Sequence, residues 1–404
     1  MKILYLYQFF RTPDEGGILR AYYLATALAE AGHEVTVLTA HPRRGVPERR
    51  VNGFTVRYLP VAYDQRFGFG RRVFAYLKFA GLAFLYARRM PRIDCVYAAS
   101  VPLTVGLTAL GLKALRGTPY FFEVGDLWPQ TPVEMGVIRS GFLKKTLYGF
   151  EAWVYRRAET VVAVSPTMQA VIEKRGGAGK TVILPNLADC QFFRPAPKSP
   201  ALESRFGTEN RFVVTYFGAM GRVVGLEALL DLARYCAAKT ERIRFLLVGD
   251  GSERPRLRRL ATEYGLPNLR FLDPLDKNGL REVLAVTDVA YVSFLPLPVL
   301  QTNCPNKLVD ALAAGKPVLT NLPGWHADLL RRYGCGWYAP ADQPGQGWQV
   351  LEPLLRSPTR LADCGRQARR LAETEFDRRL LGPRFAALFG EKVLTKKEPG
   401  TVRG

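Results

Sequence analysis

The chain has 404 residues, enough for two domains at ~150 residues each, and is 48% hydrophobic and 23% charged, as globular proteins are. Six scattered cysteines form no C-x-x-C pair and only three histidines occur, which argues against a zinc site, a disulfide scaffold and a His-based metal centre and fits reduced thiols in a cytosol. The net charge of +21 draws the chain toward nucleic acid, anionic lipid or phosphorylated substrates, and it is concentrated early: residues 1–199 hold 27 Lys+Arg against 14 Asp+Glu.

Short apolar runs alternate with amphipathic stretches along nearly the whole length, the pattern of repeated βα units around parallel sheets. The start, Met1-Lys-Ile-Leu-Tyr-Leu-Tyr, reads as a first strand and lacks the longer apolar region of a signal peptide. No run of ~20 apolar residues appears, so no transmembrane helix is expected. Strands are predicted over 3–7, 35–39, 54–59, 95–98, 120–124, 160–164 and 182–184. Between the first two, Ile18, Tyr22, Ala25 and Ala29 share one helix face, and Gly32 closes that helix.

Ligands of doubly wound sheets bind at the carboxyl ends of the strands. After the first strand, Gly16 and Gly17 precede a helix, where backbone can approach an anion. A plain glycine turn is the competing reading. The stretch 71–89 is aromatic and apolar, carries Phe74 and Lys78, and is bracketed by Arg71-Arg72 and Arg88-Arg89. It suits a helix lying in an anionic membrane interface, and equally a helix buried in the first domain with exposed ends. After the fifth strand comes Glu123-Val-Gly-Asp126-Leu-Trp128-Pro. Asp126 could act as a base or hold a sugar hydroxyl, or simply cap the next segment; Glu123 reads as structural.

Four prolines lie between Pro185 and Pro200, and this stretch reads as the linker. The pattern then restarts, with strands over 212–217, 244–248, 269–272, 289–294 and 317–320 and helices between them. Gly218 and Gly221 follow the first of these, with Arg222 at the start of the next helix; backbone N–H groups and a guanidinium there suit a diphosphate. Gly249 follows the second strand. In Pro305-Asn306-Lys307-Leu-Val-Asp310, Asn306 can cap a helix, Lys307 sits at its positive end, and Asp310 is on nearly the same face. Phosphate at Lys307 and a ribose diol at Asp310 would be sensibly spaced. The competing reading is an amphipathic helix with solvated charges.

These residues resemble glycosyltransferase family 4, of the retaining GT-B class, over almost the entire chain. The likeness is carried by Gly16-Gly17, Ala163-Val-Ser165, Leu184-Pro-Asn186, Val248-Gly-Asp-Gly251 and Ala311–Val318; Asp126-Leu-Trp-Pro and Pro305-Asn-Lys-Leu look like the subgroup that builds O-antigen and capsule sugars. The resemblance implies an α/β GT-B architecture of two Rossmann-like doubly wound domains facing across a cleft. It places the acceptor-binding domain at 1–195, the nucleotide-sugar domain at 201–375 and a helix crossing back at 376–390. The tail 391–404 reads as polar and disordered.

It further implies a nucleotide-sugar donor, UDP foremost, a glycan or lipid-linked acceptor, and no metal or cofactor. The donor set would be Gly16, Gly17, Gly218, Gly221, Arg222, Gly249, Asn306, Lys307 and Asp310, with Asp126, Arg222 and Lys307 nearest the chemistry. The enzyme would work as a peripheral protein at the inner face of the cell membrane. Three departures stand out: Thr302 where the first of two acids is expected, Val224 in place of a lysine, and Gly125 in place of a histidine before Asp126. Lys307 could supply the charge missing at 224. A sugar-nucleotide epimerase on the same architecture would need more carboxylates and a histidine. No aromatic-interleaved basic motif supports nucleic acid as a partner, and a dinucleotide oxidoreductase would need the absent G-x-G-x-x-G fingerprint.

Overall fold

The computed structural model describes residues 1–394 apart from 16, 18, 65 and 66; the expected tail falls mostly outside the described residues. The chain divides into two compact units, Met1–Pro185 together with residues from Arg379 onward, and Asn186–Arg378.

The first unit is built on eight strands: β1 (Lys2–Leu6), β2 (Glu34–His41), β3 (Arg49–Val51), β4 (Phe54–Pro60), β5 (Cys95–Ser100), β6 (Tyr120–Val124), β7 (Thr160–Ala163) and β8 (Thr181–Ile183). Their order is β3-β4-β2-β1-β5-β6-β7-β8. All neighbours run parallel except β3 with β4. β5 and β6 are buried at every residue, which is why they read as largely apolar runs rather than as alternation, with Glu123 the one charge in them. The direction of winding reverses between β1 and β5, which makes their carboxyl ends the place where a crevice opens. The helix Arg378–Leu394 sends Phe385 and Phe389 against Tyr97, at 4.9 and 6.0 Å between ring centroids, and completes this core.

The second unit carries β9 (Phe212–Phe217), β10 (Ile243–Val248), β11 (Leu269–Leu272), β12 (Val289–Val292), β13 (Val318–Thr320) and β14 (Gly336–Tyr338). Their order is β11-β10-β9-β12-β13-β14, all parallel, with the reversal between β9 and β12. The helix Glu227–Ala237 and its neighbours bury Leu229, Leu230 and Ala233 against Phe245, Leu247 and Tyr291.

The stretch read as a linker is folded into the second unit from Asn186 on, so the boundary lies at 185 and not at 195. The reason is its side chains. Leu187, Ala188, Cys190 and Phe193 are buried, Asp189 pairs with Lys277 at 2.9 Å and Arg378 at 3.2 Å, and Asn186 donates to the Cys304 carbonyl. Proline in this stretch shapes a packed segment.

One buried ion pair ties the first unit together. Arg20 opens the helix Arg20–Glu30 and meets Glu123 of β6 through two hydrogen bonds of 3.2 and 3.1 Å. Arg20 also donates to the Leu184 carbonyl at 2.9 Å and to the Pro185 carbonyl, while the Tyr97 hydroxyl donates to Glu123. Glu123 is thus structural. Removing one partner leaves an uncompensated buried charge. Glu123→Ala is therefore expected to lower the unfolding free energy by about 3–5 kcal/mol in urea titration. A loss below about 1 kcal/mol, the value of a solvated pair, would contradict this.

Candidate functional site

In the second unit the turns that follow β9 and β10 are laced together by backbone. Gly218 N donates to Val248 O at 3.0 Å, Met220 N to Asp250 O at 2.8 Å, and Glu253 N to Met220 O at 3.0 Å. Gly249 has φ +133°, and a Cβ there would stand 2.1 Å from the Gly218 carbonyl oxygen. Only glycine lets the two turns approach this closely. Gly218 itself has φ +126° and faces Lys307: a Cβ there would lie 3.6 Å from Nζ.

Lys307 is the second residue of the helix Asn306–Ala313. Its ammonium donates to the Tyr216 hydroxyl at 2.7 Å and stands 4.1 Å from the centroid of that ring and 5.5 Å from Phe294. Tyr216, near the end of β9, donates its own hydroxyl hydrogen bond to the Ala219 carbonyl at 2.5 Å, inside the glycine turn. No carboxylate lies within ion-pair distance of Lys307 among the described residues, and burial pulls its pKa down to about 7. An ammonium beside a helix start and aromatic faces, with no counter-charge, has the chemistry to attract an anion.

The sequence expectations meet this geometry unevenly. Gly218, Gly249 and Lys307 come together. Gly221 precedes a 3₁₀ turn, Arg222–Val224, and Arg222 is exposed at its start, not at the N-terminus of the following α-helix, which begins at Glu227. Asn306 does not cap its helix: Pro305 holds the cap position and no side chain bonds there. Asp310 is pushed up to about 7, first by burial and then by the Asp189 carboxylate, against the pull of the Lys277 ammonium. Its charged neighbours are thus Asp189 and Lys277, and it does not pair with Lys307. Thr302 is a buried hydroxyl donating to Val299 O at 2.7 Å. Its loop is pinned where Trp325 Nε1 donates to Asn303 O at 3.2 Å. Tyr216 and Phe294 were not singled out in the sequence; a tyrosine in an otherwise apolar strand carries no motif.

In the first unit Gly16 lies outside the described residues, and Gly17 is exposed with φ +88°. Asp126 is half-buried in the bend that follows β6. The residue before it must be glycine: a Cβ at Gly125 would meet the Ser100 carbonyl at 2.8 Å, so no histidine fits. The Phe69–Ala87 helix packs one face into the first unit, as the buried reading expected. It buries Ala75, Tyr76, Phe79, Ala80 and Ala83, and exposes Phe74, Leu77 and Leu85 in a stripe flanked by Arg71, Lys78, Arg88 and Arg89. Arg72 is half-buried and off that stripe. Among the described residues no helix is long and apolar enough to cross a membrane, and no group of three or more His, Cys, Asp or Glu side chains could hold an ion.

Comparison with known proteins matches residues 15–187 to the family described as "Glycosyl transferase 4-like domain" and 211–356 to "Glycosyl transferases group 1". The probable glycosyltransferase WbjE of Pseudomonas aeruginosa is 24% identical over 314 residues, covering 76% of this chain and 77% of that protein. The putative colanic acid biosynthesis glycosyl transferase WcaI of Escherichia coli K12 is also 24% identical, over 71% and 75% of the two chains. Among solved structures, a sucrose-phosphate synthase from Thermosynechococcus elongatus aligns with TM-score 0.79 and 18% identity over 98% of this chain and all of that one. Anabaena Alr3699/HepE in complex with UDP and glucose aligns at 0.71 and 19% over 97% and 100%. At these identities the structural likeness shows a shared fold.

Proposed function

Because the chain belongs to the family 4 glycosyltransferases of the GT-B fold, we propose that it moves a sugar from a UDP-sugar to a glycan or lipid-linked saccharide in cell-surface polysaccharide synthesis. The observation that carries the donor assignment is Lys307, a half-buried ammonium without a counter-charge facing the Gly218 turn. The UDP complexes of HepE and the colanic acid name of WcaI agree with it.

In this reading the diphosphate lies between Lys307 and the backbone of residues 218–221, with exposed Arg222 able to swing onto it. Asp310 takes the ribose hydroxyls. As the glycosidic carbon–oxygen bond breaks, negative charge grows on the leaving diphosphate, and Lys307 and the start of its helix stabilise it in place of a metal ion. The acceptor hydroxyl attacks the same face of the sugar, and its proton passes to the departing phosphate oxygen, so configuration is retained. Lys307→Ala removes a charge-assisted contact worth about 1.5–3 kcal/mol. Calorimetric titration with UDP-glucose should show affinity falling by about ten- to a hundredfold. Unchanged affinity would remove Lys307 from the donor site.

The same proposal places the enzyme at the inner face of the cell membrane. The exposed Phe74, Leu77 and Leu85 with their flanking cations support that, as does the excess of positive charge in the first half. Phe74→Ser, Leu77→Ser and Leu85→Ser together should release the protein from anionic vesicles in a sedimentation assay with its unfolding midpoint unchanged. Full retention on the vesicles would exclude that helix as the anchor.

A further inference from the structure

At the carboxyl ends of the first unit's strands lies a run of aromatic rings that neither the core nor the donor site uses. Tyr7 and Phe9 follow β1, Tyr63 and Phe67 follow β4, Tyr76 stands in the first turns of the Phe69–Ala87 helix, and Trp128 follows β6. Centroid distances link them one to the next: Tyr7–Phe9 6.3 Å, Phe9–Tyr63 4.7 Å, Tyr63–Tyr76 5.6 Å, Tyr76–Trp128 6.5 Å and Tyr63–Phe67 6.4 Å. The Tyr63 and Tyr76 hydroxyls are 3.1 Å apart. Of the six rings only Tyr76 is buried; the other five are half-exposed. Core aromatics of this unit, such as Tyr97 and Phe121, are fully covered. The rings therefore form a surface.

Polar groups border that surface. The Asp126 carboxylate lies near enough to the Tyr7 hydroxyl to oppose its ionisation, after burial and Glu123, and Asp126 is itself half-buried two residues before Trp128. The arrangement straddles the reversal of winding between β1 and β5. Half-exposed ring faces next to a carboxylate and phenolic hydroxyls fit a ligand that is apolar on one face and rich in hydroxyls at its edge. A pyranose ring is such a ligand: its axial C–H groups carry partial positive charge and lie against π faces, and its hydroxyls donate to carboxylates. A polyprenyl chain offers nothing to hydrogen-bond a half-buried carboxylate, so a lipid tail fits less well.

We infer that Phe9, Tyr63 and Trp128 form a stacking platform for a sugar ring of the acceptor, with Asp126 holding its hydroxyls. This rests on the transferase reading for the word acceptor, but the platform is a property of the first unit alone.

The test uses the full chain and saturation-transfer difference NMR with methyl α-glucopyranoside, methyl α-galactopyranoside and methyl α-mannopyranoside, and citronellyl phosphate as the lipid comparator. At least one pyranoside should take up saturation at its ring C–H protons. Its dissociation constant should rise by about two- to tenfold in Trp128→Ala and in Tyr63→Ala, the weight of one aromatic contact. Trp128→Phe, which keeps a ring, should recover most of the loss, and circular dichroism and the unfolding midpoint check folding. Saturation of no pyranoside, equal binding in both alanine variants, or saturation of citronellyl phosphate alone would overturn the platform. UDP is titrated in parallel. Failure of UDP to stabilise the wild type would sink the donor reading and not this one, whereas UDP stabilisation without pyranoside binding would sink only the platform.

Discussion

A single lysine held against two aromatic rings, with no carboxylate to answer its charge, sets the character of the second unit. The helix Asn306–Ala313 delivers Lys307 to the spot, β9 supplies Tyr216 beneath it, and the glycine turn after β9 closes over the top. Taking an ammonium out of water without a partner disfavours its charged form, which is why its pKa falls to about 7. Such an arrangement is poor for stability. In the proposed function it becomes favourable when a diphosphate arrives, because the ligand would supply the missing counter-charge. The contact between the Gly218 and Gly249 turns spends the Gly218 and Met220 N–H groups on backbone carbonyls and fixes the shape of the loop beside Lys307 beforehand.

The first unit solves a different problem with charge. Arg20 and Glu123 are both buried and satisfy one another, and Tyr97 and two backbone carbonyls complete the network. These groups spend their hydrogen bonds on one another and on the fold. The inferred platform on this side uses half-exposed groups at the strand ends instead: the Asp126 bend and the aromatic rings around it. The two units thus show how burial decides a charged residue's role. A fully paired charge fixes structure, and an unpaired one waits for a partner.

Most of the sheet architecture was readable in the sequence because parallel strands buried on both faces leave largely apolar runs without alternation, as β5, β6, β9 and β10 do. β3 was passed over: it is short and polar, and its only mark is the Asn52-Gly53 turn, where both residues take positive φ and fold it back on β4. β14 is three residues long at a sheet edge and equally quiet. The Pro185–Pro200 stretch misled because proline content reports backbone restriction, and says nothing about whether Leu187 and Phe193 find a core. At the site, glycine turns and Lys307 were legible from spacing at strand ends. The separation of Asp310 from Lys307 was not, since three residues along a helix span about 300° of turn and the neighbours on either side decide which way each side chain leans. Tyr216 and the aromatic platform are assembled from distant segments, and no local pattern announces them.

The anion site at Lys307 can be questioned through its proton. Free Lys307 titrates near 7, and a bound diphosphate must raise that value; UDP-glucose has no group of its own that titrates between there and pH 8. Calorimetric titration of UDP-glucose at pH 8, in two buffers of different ionisation enthalpy, reads the protons taken up on binding. The account predicts uptake of about one proton in the wild type and none in Lys307→Ala. No uptake in the wild type, or the same uptake in both proteins, would contradict it.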